Sequence, residues 1–123
     1  MKYCSKITGH GAEAFSFLGD PDTNMIIIFN EGAPPILEEL SVLHEVAELK
    51  EGLAVGDTIS FGDAIFKISA LGSEVNKTLG DLGHCTIDLN GGDEPERPGC
   101  LAIEGERELT QDDLKAGNLI QIY

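Results

Sequence analysis

Val55-Gly56-Asp57-Thr58-Ile59-Ser60-Phe61-Gly62-Asp63-Ala64-Ile65-Phe66-Lys67-Ile68-Ser69-Ala70 is the stretch that decides the fold. Thr58–Phe61 and Ala64–Ala70 are short runs rich in β-branched and aromatic residues. Gly62-Asp63 between them supplies the turn of a β-hairpin. Gly56-Asp57 makes a tight entry into the first of these strands. Gly117-Asn118-Leu119-Ile120 repeats that entry near the C-terminus.

Outward from this hairpin the same punctuation recurs. Gly9 and Gly11, Gly19-Asp20-Pro21-Asp22, Gly32-Ala33-Pro34-Pro35, Gly72, Gly91-Gly92-Asp93 and Pro98-Gly99 separate apolar runs. Strands are expected at Lys2–Thr8, Asn24–Asn30, Cys85–Leu89, Cys100–Ile103 and Leu119–Tyr123. So many short strands leave exposed edges, which closure removes. The reading is all-β: one domain over 1–123, a small closed β-barrel with one or two short helical turns.

Glu74–Leu82 is expected as a helix ending at Gly83, and Thr110–Ala116 as a single turn capped by Thr110 with Asp113 as partner. Residues 36–50 fit either helical or strand spacing. A turn at Pro35–Leu40 followed by a strand through His44 is favoured, because Pro is tolerated at a helix start.

Eight Lys and Arg face 22 Asp and Glu, a net charge of −14. Nucleic acid and anionic membrane surfaces are poor partners for such a chain. Cys4, Cys85 and Cys100 are odd in number and lack Cys-x-x-Cys, so neither a disulfide scaffold nor a structural zinc site is expected. Met25–Phe29 is too short an apolar run to cross a bilayer. No signal peptide is visible, and a cytoplasmic protein without direct membrane insertion is expected.

His44 is the candidate for chemistry. Imidazole titrates near neutrality, so its neutral form serves as a nucleophile. A phosphoryl carrier needs a ring nitrogen exposed to its donor, an apolar collar and donors for the phosphoryl oxygens. Val42, Leu43 and Val46 are placed to form the collar, and a carboxylate of Glu45 or Glu48 to orient the ring. The plainer reading is a half-buried strand histidine with no role, and the residues alone favour it. His84, at a strand entry after Gly83, is either a donor to a transferred phosphoryl group or a residue bonded to backbone. His10 is read as a loop residue, and Lys50 as a surface cation. No metal, cofactor, nucleophilic-serine or nucleotide motif is present.

The order and spacing of several stretches resemble one family. Phe29-x-Glu31-Gly32-Ala33-Pro34 is followed by Leu37-Glu38-Glu39, His44 and Glu48-Leu49-Lys50. Later come Leu79-Gly80-x-Leu82-Gly83-His84-x-Thr86 and Pro98-Gly99. Together they resemble the glucitol/sorbitol-specific IIA components of the bacterial phosphoenolpyruvate-dependent sugar phosphotransferase system. The resemblance implies a closed barrel phosphorylated on a histidine by the phosphocarrier HPr. It implies transfer to the IIB part of a hexitol permease with its membrane IIC component. The phosphohistidine of that family falls on His44, and its Leu-Gly-His motif falls on Leu82-Gly83-His84, giving His84 a supporting role. A second histidine two places after the first is replaced here by Val46. The alternatives are a non-catalytic regulatory or partner-binding barrel, and a small-molecule-binding barrel, which the scarcity of aromatic residues disfavours.

Overall fold

A computed structural model describes residues 1–123 as eight strands, two short α-helices and one 3₁₀ turn. The strands are β1 (Tyr3–His10), β2 (Met25–Asn30), β3 (Val42–His44), β4 (Thr58–Phe61), β5 (Ala64–Leu71), β6 (Cys85–Asp88), β7 (Cys100–Glu104) and β8 (Leu119–Ile122). They close in the order β1-β3-β2-β6-β7-β5-β4-β8. The expected closed barrel is therefore present. The β4–β5 hairpin turns on Gly62-Asp63 with Phe61 opposite Ala64. Gly62 has φ +59°, the left-handed conformation that such a two-residue turn demands of its first position.

Two neighbouring pairs are parallel, β2 with β3 and β6 with β7. A parallel pair needs a crossover between its strands. The first is made by α1 (Pro35–Leu40), with Pro at its start as the sequence suggests. The second is the exposed loop through residues 90–99. The expected turn at Thr110 is a 3₁₀ turn, Asp112–Leu114. Its cap differs from expectation. The Asp113 carboxylate accepts hydrogen bonds from the Thr110 backbone N–H (2.8 Å) and hydroxyl (3.0 Å), so half of a capping box forms.

The interior is aliphatic. Ile7, Ile26, Ile28, Val42, Ile59, Ile68, Ile87, Leu101, Ile103, Ile120 and Ile122 join Tyr3 and Phe61 in one cluster. The second helix, α2 (Val75–Leu82), closes the barrel end where β2 and β3 finish and β6 begins. Its Val75 and Leu79 join the core. Asn76 binds the Leu53 backbone in both directions, at 2.8 and 3.4 Å. The helix ends at Gly83, φ +62°, whose N–H reaches the Leu79 carbonyl.

Candidate functional site

Strand alternation fixes where the imidazole goes. In the parallel β2–β3 register, Ile28 pairs with Val42 and Asn30 with His44. Ile28 and Val42 have no exposed surface, so the next position on the same face, His44, also points inward. Its ring is 0% exposed. The expectation of a surface ring ready for a partner protein is thus corrected. The period of two that buries Val42 carries His44 inside with it.

Each ring nitrogen is engaged. Nδ1 lies 2.9 Å from Ser5 Oγ and 2.9 Å from the Glu45 carbonyl oxygen. Nε2 lies 2.7 Å from the Gly83 carbonyl oxygen. The Ser5 hydroxyl donates to the Glu45 carbonyl at 2.6 Å. The edge of the ring also meets Tyr3, with centroids 6.1 Å apart and planes at 82°.

These partners distinguish the two tautomers. Carbonyls only accept, and a neutral imidazole holds one N–H. With the proton on Nδ1, that N–H donates to Ser5 Oγ and the Glu45 carbonyl. The Nε2 lone pair then faces the Gly83 carbonyl, a repulsion that ends when Gly83 moves away. With the proton on Nε2, that N–H donates to Gly83, Ser5 must turn its hydroxyl from Glu45 toward Nδ1, and the Nδ1 lone pair faces the Glu45 carbonyl. The first tautomer carries a nucleophilic Nε2, and the second hides it.

Other expectations shift at this site. The Glu45 side chain does not orient the ring; it is exposed and 4.0 Å from Lys6 Nζ. The Glu45 main-chain carbonyl and Ser5 take that place. Val42 is fully buried beside the ring, whereas Val46 is 73% exposed and forms no collar. His84 stacks on Phe29 with ring centroids 4.7 Å apart. Its Nδ1–H donates to the Ile28 carbonyl at 3.2 Å, the backbone-bonded arrangement. His10 is exposed, near Phe15, and Lys50 is exposed.

Two residues at this site were missed by sequence reasoning. Ser5 carried no signal beyond an alternating strand. Asn30 fell on the unassigned position of Phe29-x-Glu31. Its side-chain Oδ1 is buried with no hydrogen-bond partner. A Cβ placed on Gly83 would overlap both Asn30 Oδ1 and His44 Cε1, so the three residues meet at one point.

Burial pushes the Tyr3 phenol up, with nearby Cys85 adding to it. The Cys85 thiol is raised to about 12, first by burial and then by Cys100. No group of three or more His, Cys, Asp or Glu side chains is gathered to hold a metal ion. A surface cleft of about 420 Å³ beside β2 and β6 is lined by Asn24, Thr86, Asp88 and Arg97, among others, and by none of the ring's partners.

A barrel with a single inward imidazole at its helix-closed end is the architecture against which relatives can be judged. The family model described as PTS system glucitol/sorbitol-specific IIA component matches residues 2–121. The chain belongs to this family. A PTS system glucitol/sorbitol-specific EIIA component from Escherichia coli (strain K12) is 36% identical over 119 residues, covering 97% of this chain and 92% of that protein. The protein of the same description from Shigella flexneri is equally similar, at 36% over 119 residues. The crystal structure of a PTS system IIA component from Enterococcus faecalis V583 superposes with a TM-score of 0.74. It covers 96% of this chain and 97% of its own at 23% identity, a likeness of fold. Membership makes this IIA chain a component of a sugar phosphotransferase system. No helix in it is long and apolar enough to cross a membrane.

Proposed function

We propose that this IIA chain is a phosphocarrier that accepts a phosphoryl group from HPr on His44 Nε2. It then passes the group to the IIB component of a hexitol permease. The observation that carries the reading is the asymmetry of the ring. Nδ1 is held by Ser5 and the Glu45 backbone at the β1–β3 seam, whereas Nε2 is covered by one glycine carbonyl at a helix end.

In the transfer, the Nε2 lone pair forms an N–P bond as the N–P bond of the donor phosphohistidine breaks. The electron pair of the broken bond stays on the donor ring. Each phosphorylated ring keeps a proton on its other nitrogen, so no net proton is exchanged. Here that nitrogen is Nδ1, whose N–H donates to Ser5 Oγ and the Glu45 carbonyl. Such chemistry asks for in-line positioning and charge stabilisation. It also requires Gly83 and the α2–β6 turn to leave Nε2. Leu82, 46% exposed beside Gly83, offers apolar surface next to that turn.

The test is incubation with phosphoenolpyruvate, enzyme I and HPr. A stoichiometric adduct, acid-labile and base-stable, is expected, and His44→Ala abolishes it. Labelling that survives in the variant overturns His44 as the site.

The sealed ring favours a second reading, a regulatory module that binds a partner without transfer. The acidic surface then governs the contact, and affinity falls with salt while no adduct forms.

A further inference from the structure

We propose that Asn30 is a catalytic residue of this relay, its side-chain amide donating to an oxygen of the phosphoryl group on His44 Nε2. The inference rests on the phosphocarrier reading above.

Buried polar atoms in native proteins are almost always hydrogen-bonded, and an exception calls for a reason. Asn30 Oδ1 is buried and has no partner. Packing alone does not require an amide here, since an apolar side chain of the same size would leave nothing unpaired. The position is specific. Asn30 is the register partner of His44 across the β2–β3 pair. The space above Gly83 Cα is bounded by Asn30 Oδ1 and His44 Cε1. Cε1 adjoins Nε2, and the Gly83 carbonyl covers Nε2, so the amide and the reacting nitrogen border the same glycine.

Charge makes a donor necessary. The chain carries −14, and Lys6, next to Ser5 on β1, sits 4.0 Å from the Glu45 carboxylate. A phosphoryl group entering here needs neutral donors. An amide has two N–H groups and a broad, roughly two-fold terminal torsion, so a half-turn exchanges its oxygen for its nitrogen. As Gly83 leaves Nε2, the Nδ2 of Asn30 faces the incoming phosphoryl oxygens. The N–P bond forms on Nε2 and breaks on the donor ring as before, and Asn30 exchanges no proton.

The test compares wild type, Asn30→Ala and Asn30→Asp, with His44→Ala as the control, for the rate of phosphorylation by phospho-HPr. Thermal unfolding of each variant is followed in parallel. Loss of one such donor is expected to slow transfer on the order of a hundredfold. The order distinguishes roles. Asn30→Asp keeps the shape but places an acceptor against the phosphoryl group, so it falls below Asn30→Ala. A packing role would leave Asn30→Asp nearer wild type. Rates within twofold of wild type in both variants, or the packing order, overturn Asn30 while the carrier reading stands. A wild type that takes no phosphoryl group, or a His44→Ala variant that still does, overturns both. Should either variant fail to fold, side-chain amide resonances of the wild type decide. On phosphorylation the Asn30 pair shifts while that of surface Asn90 stays; an unmoved Asn30 pair overturns the proposal.

Discussion

The Gly83 carbonyl oxygen sits 2.7 Å from His44 Nε2, and it is delivered there by a residue in the left-handed conformation at the end of α2. One helix terminus therefore both closes the barrel and covers the nitrogen proposed to react. Helix capping and access to the ring are coupled through a single residue.

A side chain at position 83 should disturb both. In Gly83→Ala the backbone is held at φ +62°, and the added Cβ meets Asn30 Oδ1 and His44 Cε1. A loss of about 2 kcal/mol or more is expected, from left-handed strain plus overlap. Urea unfolding of wild type and variant measures it. An unchanged midpoint would show that α2 does not end tightly on the ring.

Ser5→Ala removes the hydroxyl that bridges Nδ1 and the Glu45 carbonyl. Stability should fall by about 1 kcal/mol, the usual net value of such a bond. The phosphorylation rate should fall further than stability, with its pH profile displaced, because the ring loses the hydroxyl that positions Nδ1 against the Glu45 carbonyl. Ser5→Thr, which restores a hydroxyl, should recover the profile. Equal profiles for wild type and alanine variant would confine Ser5 to packing.

Arg107 and Asp113 predict an acid limb of the stability curve. Arg107 binds Asp113 through two hydrogen bonds, at 2.7 and 2.8 Å. This pairing, helped by Thr110 and opposed by burial, lowers the carboxyl to about 2 from 3.8. The folded carboxylate is therefore favoured over the unfolded one. Its contribution is complete above about pH 4 and is lost as pH falls toward about 2. Because Arg107 is half exposed, at most about 2 kcal/mol is at stake. Urea midpoints from pH 6 to pH 2.5 should decline for wild type, and Asp113→Asn should remove part of that slope.

The thiols should react unequally. Cys4 is exposed and Cys85 is fully enclosed, its thiol raised to about 12. Iodoacetamide at pH 8 should label Cys4 in the folded protein and reach Cys85 only in denaturant. Mass spectrometry of the peptides reads the outcome. Rapid native labelling of Cys85 would mean that the barrel opens readily at β6.

The barrel was legible because its signals are local. Gly62-Asp63 between two apolar runs forces a hairpin, and α1 appears at Pro35–Leu40 where proline permits a helix to begin. Val42–His44 followed as a strand. What the spacing left open was the face. Val42, His44 and Val46 share one parity, yet only the first two lie in β3. Past His44 the strand ends, and Val46 turns out to solvent.

The amino-acid sequence by itself determined the strands, the turns, the family and the histidine that carries the argument, since each depends on residues near in the chain or on their order. Tertiary structure alone decided that the ring is sealed, that Ser5 and Gly83 hold its two nitrogens, and that Asn30 stands beside it. Those neighbours lie 39, 39 and 14 positions away along the chain or across a strand pair. Only closure of the barrel and the seating of α2 on its end bring them together, because a hydrogen bond at 2.7 Å is set by the packing of whole elements rather than by local preference.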